Sequence, residues 1–424
     1  MKPTRLALAI ATAAMVSQPV LATNGDHLIG LGAQSRAMGG TGAAAFFGSE
    51  NALTNPALIG KMQGTEFVIG GTVFMPSVKA KTDVASMPGQ SVSQTSDADL
   101  SVIPEVSLAT RINDNWVFGL GIFGTAGMGV DYRDNGGAPD GTGLFNGYSN
   151  LQLMKFAPTL AYNDSNWGIG FAPVIQYGAL DINYKQFIPN DPADPSAGGD
   201  LLNIGNGMSQ DYGFGFNVGG YFDVTPELTL GLAYQSAINM KYKDQITTAA
   251  EGFMLPDFGV NLGDELEQPS EIKVGAAYTM GNMMYTADYK RIGWGSAKGY
   301  KDFNWEDQDV FAIGAKYTAN KYWLGVGYNY GSDPIKKKSG NDYASQAINL
   351  LNNHFFPAVV ESHFTFGGGY SFTENLTVEG AVTYAAEKTK TVDTGLISGG
   401  TPGDTSHKVT HSQLGYTLAL RMNF

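Results

Sequence analysis

The chain contains no cysteine, which removes disulfides, thiolate metal sites and cysteine nucleophiles and leaves the redox compartment open. Charge is scarce as well: Asp, Glu, Lys and Arg make up 15% of the 424 residues, where about 25% is usual. Twenty-six basic side chains against 39 acidic ones give a formal charge of −13, which excludes nucleic acid as a partner because phosphates need a basic footprint. After the first 22 residues there is no run of about eighteen apolar residues, so no helical membrane span is expected. G-x-S-x-G and Walker A sequences are absent, and hydrolase or nucleotide chemistry has no anchor. What is plentiful is glycine, 56 residues, and aromatic side chains, 12%. The aromatics exclude disorder, and the lack of a Gly-X-Y period excludes a collagen-like chain.

The first segment has the form of a secretory signal peptide. Lys2 and Arg5 precede an apolar run from Leu6 to Val16, and Val20-Leu21-Ala22 supplies small residues for cleavage after Ala22. Removing residues 1–22 takes the formal charge from −13 to −15, because Lys2 and Arg5 leave with them.

One unit then recurs along the chain: an alternating segment, a short polar turn, and a second alternating segment rich in glycine and aromatics. It appears as ATRINDNWVFGLG, LAYNDSNWGIGFA, YFDVTPELTLGLAY, AAYTMGNMMYTADY, KYTANKYWLGVGY and GYSFTENLTVEGAVTY. These six read as tight hairpins, with turns near Asn113, Asp164, Thr225, Gly281, Asn320 and Glu374. Longer polar stretches separate them, near 80–98, 130–148, 185–208, 244–268, 292–307, 331–360 and 387–407. Short turns at one end and long loops at the other are the pattern of an outer-membrane barrel. Six hairpins, one strand from Glu66 and a last strand to Phe424 make fourteen. The expected fold is therefore an all-β, 14-stranded antiparallel transmembrane barrel, which leaves no strand edge unpaired in hydrocarbon.

Parity assigns the faces. In the last strand Leu414, Tyr416, Leu418, Leu420, Met422 and Phe424 share the lipid side, opposite Gly415, Thr417, Ala419, Arg421 and Asn423. The same test puts Glu105, Arg111, Lys155, Glu271, Lys273, Asp288, Lys290 and Lys316 in the lumen. Trp116, Trp167 and Trp323 follow short turns, where an interfacial aromatic girdle belongs.

The segment TNGDHLIGLGAQSRAMGGTGAAAFFGSENALTNPALIGKM, with Asn55-Pro56-Ala57, resembles the amino-terminal plug of the outer-membrane long-chain fatty-acid transporter family (FadL-type). Further resemblance runs through GLGIFGTAGMGVDYRD, NLQLMKFAPTLAY, DYGFGFNVGGYFDVTPELTLGLAYQS and FFPAVVESHFTFGGGYSFTENLTVEGAVTY. It implies a fourteen-stranded barrel (65–424) holding a hatch (23–64), and passive uptake of fatty acids or small aromatic hydrocarbons without energy coupling at this membrane. The hatch residues are mostly Gly, Ala, Ser and Thr, too few large apolar side chains for a core of their own. The terminal Phe424 looks like the signal read by the barrel-assembly machinery. Outer-membrane lipid and lipopolysaccharide complete the expected partners.

Site residues are expected in three places. Glycines 119, 121, 124, 127 and 129 (Gly119, Gly121, Gly124, Gly127, Gly129) crowd the third strand, where a kink opens a lateral exit. Leu201, Leu202, Met208, Phe253, Met254, Leu255 and Phe258 give two outer loops an apolar ligand-capturing surface. Arg111, Lys155, Lys273 and Lys316 are candidates to bind a carboxylate head group, against the alternative that lumen charges only hold the hatch. Gly119, Gly121 and Gly124 also spell a dinucleotide-type G-x-G-x-x-G, but further glycines follow where that motif needs a helix. His407 and His411 have helical zinc spacing, yet on a strand they stand about 13 Å apart. His27, His354 and His363 read as isolated loop, hatch or rim residues. No catalytic role, cofactor or metal is expected. An open diffusion porin for small polar solutes is the competing function, and it has no need of a forty-residue hatch.

Overall fold

A computed structural model describes residues 23–83, 91–133, 146–190, 199–339 and 341–424; the expected signal segment, 1–22, lies outside the described residues. Fourteen strands make the wall: β1 (Thr65–Asp83), β2 (Ser101–Arg111), β3 (Trp116–Asp131), β4 (Tyr148–Asp164), β5 (Trp167–Pro189), β6 (Ser209–Asp223) and β7 (Leu228–Gln235). The second half is β8 (Glu271–Met280), β9 (Met283–Ile292), β10 (Gln308–Thr318), β11 (Tyr322–Gly331), β12 (Ser362–Thr373), β13 (Leu376–Asp393) and β14 (Ser406–Asn423). Each pairs antiparallel with its neighbour in sequence, and β14 returns to β1, from Asn423 opposite Glu66 to His407 opposite Thr82. The ring is closed, so the fourteen-strand expectation holds. All six short turns fall where the sequence puts them, with Ser165 and Gly281 at positive φ in two of them.

The faces are inverted relative to a soluble protein. Outward residues such as Phe214, Phe366, Ile313 and Leu418 are exposed, while the alternate positions are buried. Side chains that lose no water on facing lipid can stay apolar, and the charges turn inward. Trp116 and Trp167 flank Tyr162 on the outer surface, with ring centroids 5.1 and 5.7 Å apart. Trp323 departs from expectation. It is buried and donates from Nε1 to Glu379 Oε1 at 3.1 Å, and its exposed neighbour Tyr322 takes the girdle position. One residue of register after the turn decides which of the two points outward.

The segment before β1 fills the ring. It contains α1 (Ala33–Ala37), α2 (Asn51–Thr54) and a 3-10 turn, Pro56–Lys61. Its polar groups reach inward-facing residues on every side: Gly39 N to Thr365 on β12, Ala43 N to Asp288 on β9, and Gln34 to both Lys316 on β10 and Glu379 on β13. Asn217 on β6 and Thr159 on β4 donate back to its carbonyls. The Asn-Pro-Ala motif has a local cause. Asn55 Oδ1 accepts from Ala57 N and starts the 3-10 turn, Pro56 occupies its first position, and Asn55 Nδ2 donates to Ala43 O at 2.6 Å and Gly220 O at 3.1 Å.

On the long-loop side two helices, α3 (Ile246–Gly252) and α4 (Tyr343–Phe355), cover the mouth. Asp342 caps α4 by accepting from Ser345 N at 2.8 Å, and the hydrogen bonds from Ser345 hold its carboxyl below the ordinary range.

Candidate functional site

Two features inside the ring are adjacent: a charged cavity and a break in the wall. The cavity, of about 60 Å³, lies between the amino-terminal segment and strands β3, β4 and β7–β11. Its apolar side is made by Leu28, Leu31, Leu53 and Val310, and its polar side by Lys155, Glu271, Lys273, Asp288 and Lys290. Glu271 collects most of the local charge, with His27 Nδ1 at 2.5 Å, Lys273 Nζ at 3.2 Å and Lys290 Nζ at 3.9 Å. Asp288 accepts from the Gly42 and Ala43 amides, both at 2.8 Å.

Lys155 is different. It is 3% exposed, it lines the cavity, and it has neither an ion pair nor a side-chain hydrogen bond among the described residues. Thr125 Oγ1 and Gln235 Nε2, both buried on residues of the same lining, are likewise without partners. Burying a polar donor with no acceptor costs about 1–3 kcal/mol, more for a charge. An ammonium, a hydroxyl and an amide are thus left over around one space, together with the acceptors Asp288 Oδ1 and Asn329 Oδ1 of the same lining. The volume itself holds only a few waters, so anything larger enters only if the amino-terminal segment shifts.

The four cations singled out in the sequence separate. Lys155 and Lys273 line the cavity. Arg111 sits at the short-turn end, donating to Gly60 O, Met62 O and the carbonyls of Asn113 and Asp114, and is spent on structure. Lys316 donates to Gln34 Oε1 at 2.8 Å and stands 5.3 Å from the centre of the Phe47 ring, tying the inner segment to β10. Nothing in the sequence alone marked Thr125 or Gln235.

The wall breaks between β2 and β3. Their ladder runs from Arg111 opposite Val117 to Glu105 opposite Phe123 and stops there. On the other side of β3 the register with β4 shifts between Gly124 and Ala126. Beyond the shift β3 leans on the inner segment, with His27 opposite Ala126 and Gly127 N donating to Asp26 O at 3.1 Å. Pro104, which has no amide hydrogen to give, follows Ile103 on β2 where the ladder has ended. The space is stopped by Ile103, whose Cγ2 lies 2.7 Å from where a Cβ on Gly124 would be, within a cluster of Leu28, Phe74, Ala98 and Ile103 with Leu31 against it. Leu28 and Leu31 also line the cavity, so cavity and break share a wall. The five glycines do not act together: Gly119 and Gly121 remain in the ladder, where a Cβ would press on Ile59 and Phe123, Gly129 pairs with Asn150, and only Gly124 and Gly127 stand at the break.

The loop residues divide too. Leu201, Leu202, Met208, Met254 and Phe258 are exposed, with Phe258 stacked on Tyr343 at 4.3 Å. Phe253 and Leu255 are buried, Phe253 against Tyr184 and Phe355, and they form the core of the cap rather than its surface. Of the three histidines read as isolated, two are not, while both ring nitrogens of His363, buried on β12, lack a hydrogen-bond partner among the described residues. His27 joins Glu271 and Gln268, and His354 Nδ1 meets His407 Nε2 at 3.2 Å. The G-x-G-x-x-G lies wholly within strand β3 and opens no helix.

A model of the family described as outer membrane protein transport protein (OMPP1/FadL/TodX) matches residues 22–424. The long-chain fatty acid transport protein of Escherichia coli O6:H1 is 25% identical over 91% of this chain and 95% of its own. Outer membrane protein P1 of Haemophilus influenzae is 23% identical over 79% and 80%. Among solved structures, a Pseudomonas aeruginosa FadL homologue superposes with TM-score 0.69 at 15% identity, covering 94% of this chain and 100% of that one. The Pseudomonas putida toluene transporter TodX gives 0.66 at 18%, covering 93% and 99%.

Proposed function

The chain belongs to the outer membrane protein transport protein family (OMPP1/FadL/TodX), which carries hydrophobic compounds across the outer membrane, and on that premise we propose that its cargo is an apolar chain with an anionic head, a long-chain fatty acid. The observation that carries this is Lys155, a buried ammonium with no ion pair within 4 Å and no side-chain hydrogen bond among the described residues, with the Thr125 hydroxyl and Gln235 amide beside the same cavity. A carboxylate satisfies all three donors. A neutral aromatic hydrocarbon satisfies none and leaves their desolvation uncompensated.

The exposed loop residues Leu201, Leu202, Met208, Met254 and Phe258 take the acid from the outside. Residues 23–64 act as a hatch whose displacement enlarges the cavity, and the head group docks at Lys155 and Lys273. The chain end lies toward Leu28, Leu31 and Ile103, the stopper of the break between β2 and β3. Exit there passes the acyl chain into the bilayer without exposing it to water, which favours the route by about 25 cal/mol for each Å² kept dry. The protein is a transporter with no catalytic step. The filled lumen argues against an open porin.

The test is thermal stabilisation of the protein in lipid nanodiscs by oleate, oleyl alcohol and toluene. Oleate is expected to stabilise the wild type most, and Lys155→Met to lose roughly 1.5–3 kcal/mol of oleate binding, the worth of a charge-assisted hydrogen bond, with the alcohol unaffected. Equal stabilisation by toluene and oleate would move the cargo to the aromatic class.

A further inference from the structure

The ladder between β4 and β5 has a gap of its own. It runs from Tyr148 opposite Asn183 to Phe156 opposite Ile175, stops, and resumes in the same register at Leu160 opposite Phe171. By that register the centre of the gap sets Pro158 opposite Pro173. The hairpin turn fixes what is lost. Ser165 and Asn166 make a two-residue loop closed by Asp164 and Trp167, a pair that exchanges both its hydrogen bonds, and counting back in twos makes Pro158 and Pro173 another such pair. Neither proline nitrogen carries a hydrogen, so both bonds are missing, and about 13 Å of strand has no cross-strand bond where about 7 Å is usual. A lone proline does not do this: Pro76 keeps its place in a ladder opposite Gln413, and Pro104 opposite Gly71. Prolines are ordinarily kept out of central strands, and a local rule broken twice at one point marks a functional position.

The gap lies at membrane depth. Pro158 is six residues from Asp164 at the short-turn rim, which at about 3.3 Å per residue and a tilt of about 40° is roughly 15 Å into an apolar band of about 25 Å. Phe156, Leu160, Phe171 and Ile175 border it on the lipid side. On the lumen side only short side chains close it, the buried Ala157, Thr159, Ala172 and Val174. Behind them stands α2: Thr159 donates to Ala52 O at 3.3 Å, and the adjacent Leu53 lines the charged cavity. Lys155, also of that lining, sits opposite Gln176 just above the gap. Gln176 is fully buried, and neither Oε1 nor Nε2 has a partner among the described residues, a cost that an occupant with a polar head removes.

We propose that the seam at Pro158 and Pro173 is a second lateral portal, through which an apolar chain whose head sits at Lys155 and Gln176 slips between β4 and β5 into the bilayer. The strands part there without breaking a backbone bond, which in hydrocarbon no water would replace. The proposal rests on the transport reading above, though not on the exit between β2 and β3.

The chain has no cysteine, so Ala157→Cys with Val174→Cys introduces its only thiols. They form a facing pair of the kind whose Cα atoms come closest, within disulfide reach. Oleate uptake by cells is measured with this pair oxidised by copper phenanthroline and then reduced, both in the otherwise wild-type chain and with Gly124→Val and Gly127→Val sealing the other break. Oxidation is expected to lower uptake in the first and to cut what remains in the second several-fold, with recovery on reduction. Leu151→Cys with Leu180→Cys, on the same two strands where the ladder is intact, should respond to neither treatment. Uptake before oxidation reports on the exit between β2 and β3, and the change on oxidation reports on the seam. Uptake unchanged by a complete cross-link in the otherwise wild-type chain overturns the proposal, as does a folded, sealed barrel with no uptake left. Pro158→Val with Pro173→Val returns both amide hydrogens and needs no cross-link. Amide exchange at the seam should slow and uptake fall, and slowed exchange with unchanged uptake overturns the proposal as well.

Discussion

Glu105 and Phe123 are the last partners in the ladder between the second and third strands. Below them the wall is continuous. Above them β3 turns to the inner segment, at Asp26 and His27, and an apolar cluster stands where the ladder is missing, until Asp131 O at the far end of β3 accepts from Asp97 N at 2.8 Å. Phe123 is fully buried, and Glu105 holds Arg36 of the inner segment through a buried ion pair. The point where the wall opens is thus also a point where the inner segment is fastened.

A valine at Gly124 has to displace Ile103, since even a Cβ comes within 2.7 Å of its Cγ2. The double variant Gly124→Val, Gly127→Val is expected to seal the break. Fatty-acid uptake by cells should fall several-fold while oleate still stabilises the purified protein. Normal uptake through a folded double variant would rule out the lateral route.

Arg421 binds three carboxylates at once, Glu50 of the inner segment, Glu66 at 2.6 Å and Glu379 at 2.9 Å, in a fully buried site. Arg421→Met leaves those charges uncompensated and should cost about 3–5 kcal/mol. The measurement is the unfolding midpoint in urea with lipid vesicles. A change under 1 kcal/mol would mean that water reaches the cluster.

Deleting residues 24–62 removes nearly everything inside the ring. Planar bilayers should then show large, stable conductance steps that the intact protein lacks. A deletion variant that assembles and stays closed would contradict the hatch.

For the outer loops, Met254→Asp with Phe258→Asp alters exposed side chains, whereas Phe253 and Leu255 belong to the cap's core. The exposed pair should slow uptake at low fatty-acid concentration, with the unfolding midpoint unchanged. Phe253→Asp should instead destabilise the cap by about 3 kcal/mol or more, the scale for losing a buried aromatic, and increase proteolysis of the loops.

The sequence by itself determined the strand number, the six short turns and the side of the wall for the charges that parity assigned, because a two-residue period and a turn residue are local properties that hydrocarbon enforces wherever the register is regular. It also carried the α4 helix unrecognised: Asp342 as cap, then Ala347, Ile348, Leu350, Leu351 and Phe355, in a stretch from Gln346 to Phe355 that is buried on all sides, inside what reads as a polar loop. Which inward cations are spent and which are free was decided only by tertiary structure. Arg111, Lys155, Lys273 and Lys316 look alike by parity, yet Arg111 meets carbonyls at Gly60 and Met62, Lys316 meets Gln34, Lys273 meets Glu271, and Lys155 has no ion pair within 4 Å and no side-chain hydrogen bond among the described residues. Those partners lie from about fifty to nearly three hundred residues away, apart from Glu271. The break in the wall has the same origin. Glycines permit a kink anywhere along β3, but only the docking of Asp26 and His27 selects Gly124 as the place where the ladder ends, since a strand leaves one partner only when another set of hydrogen bonds replaces it.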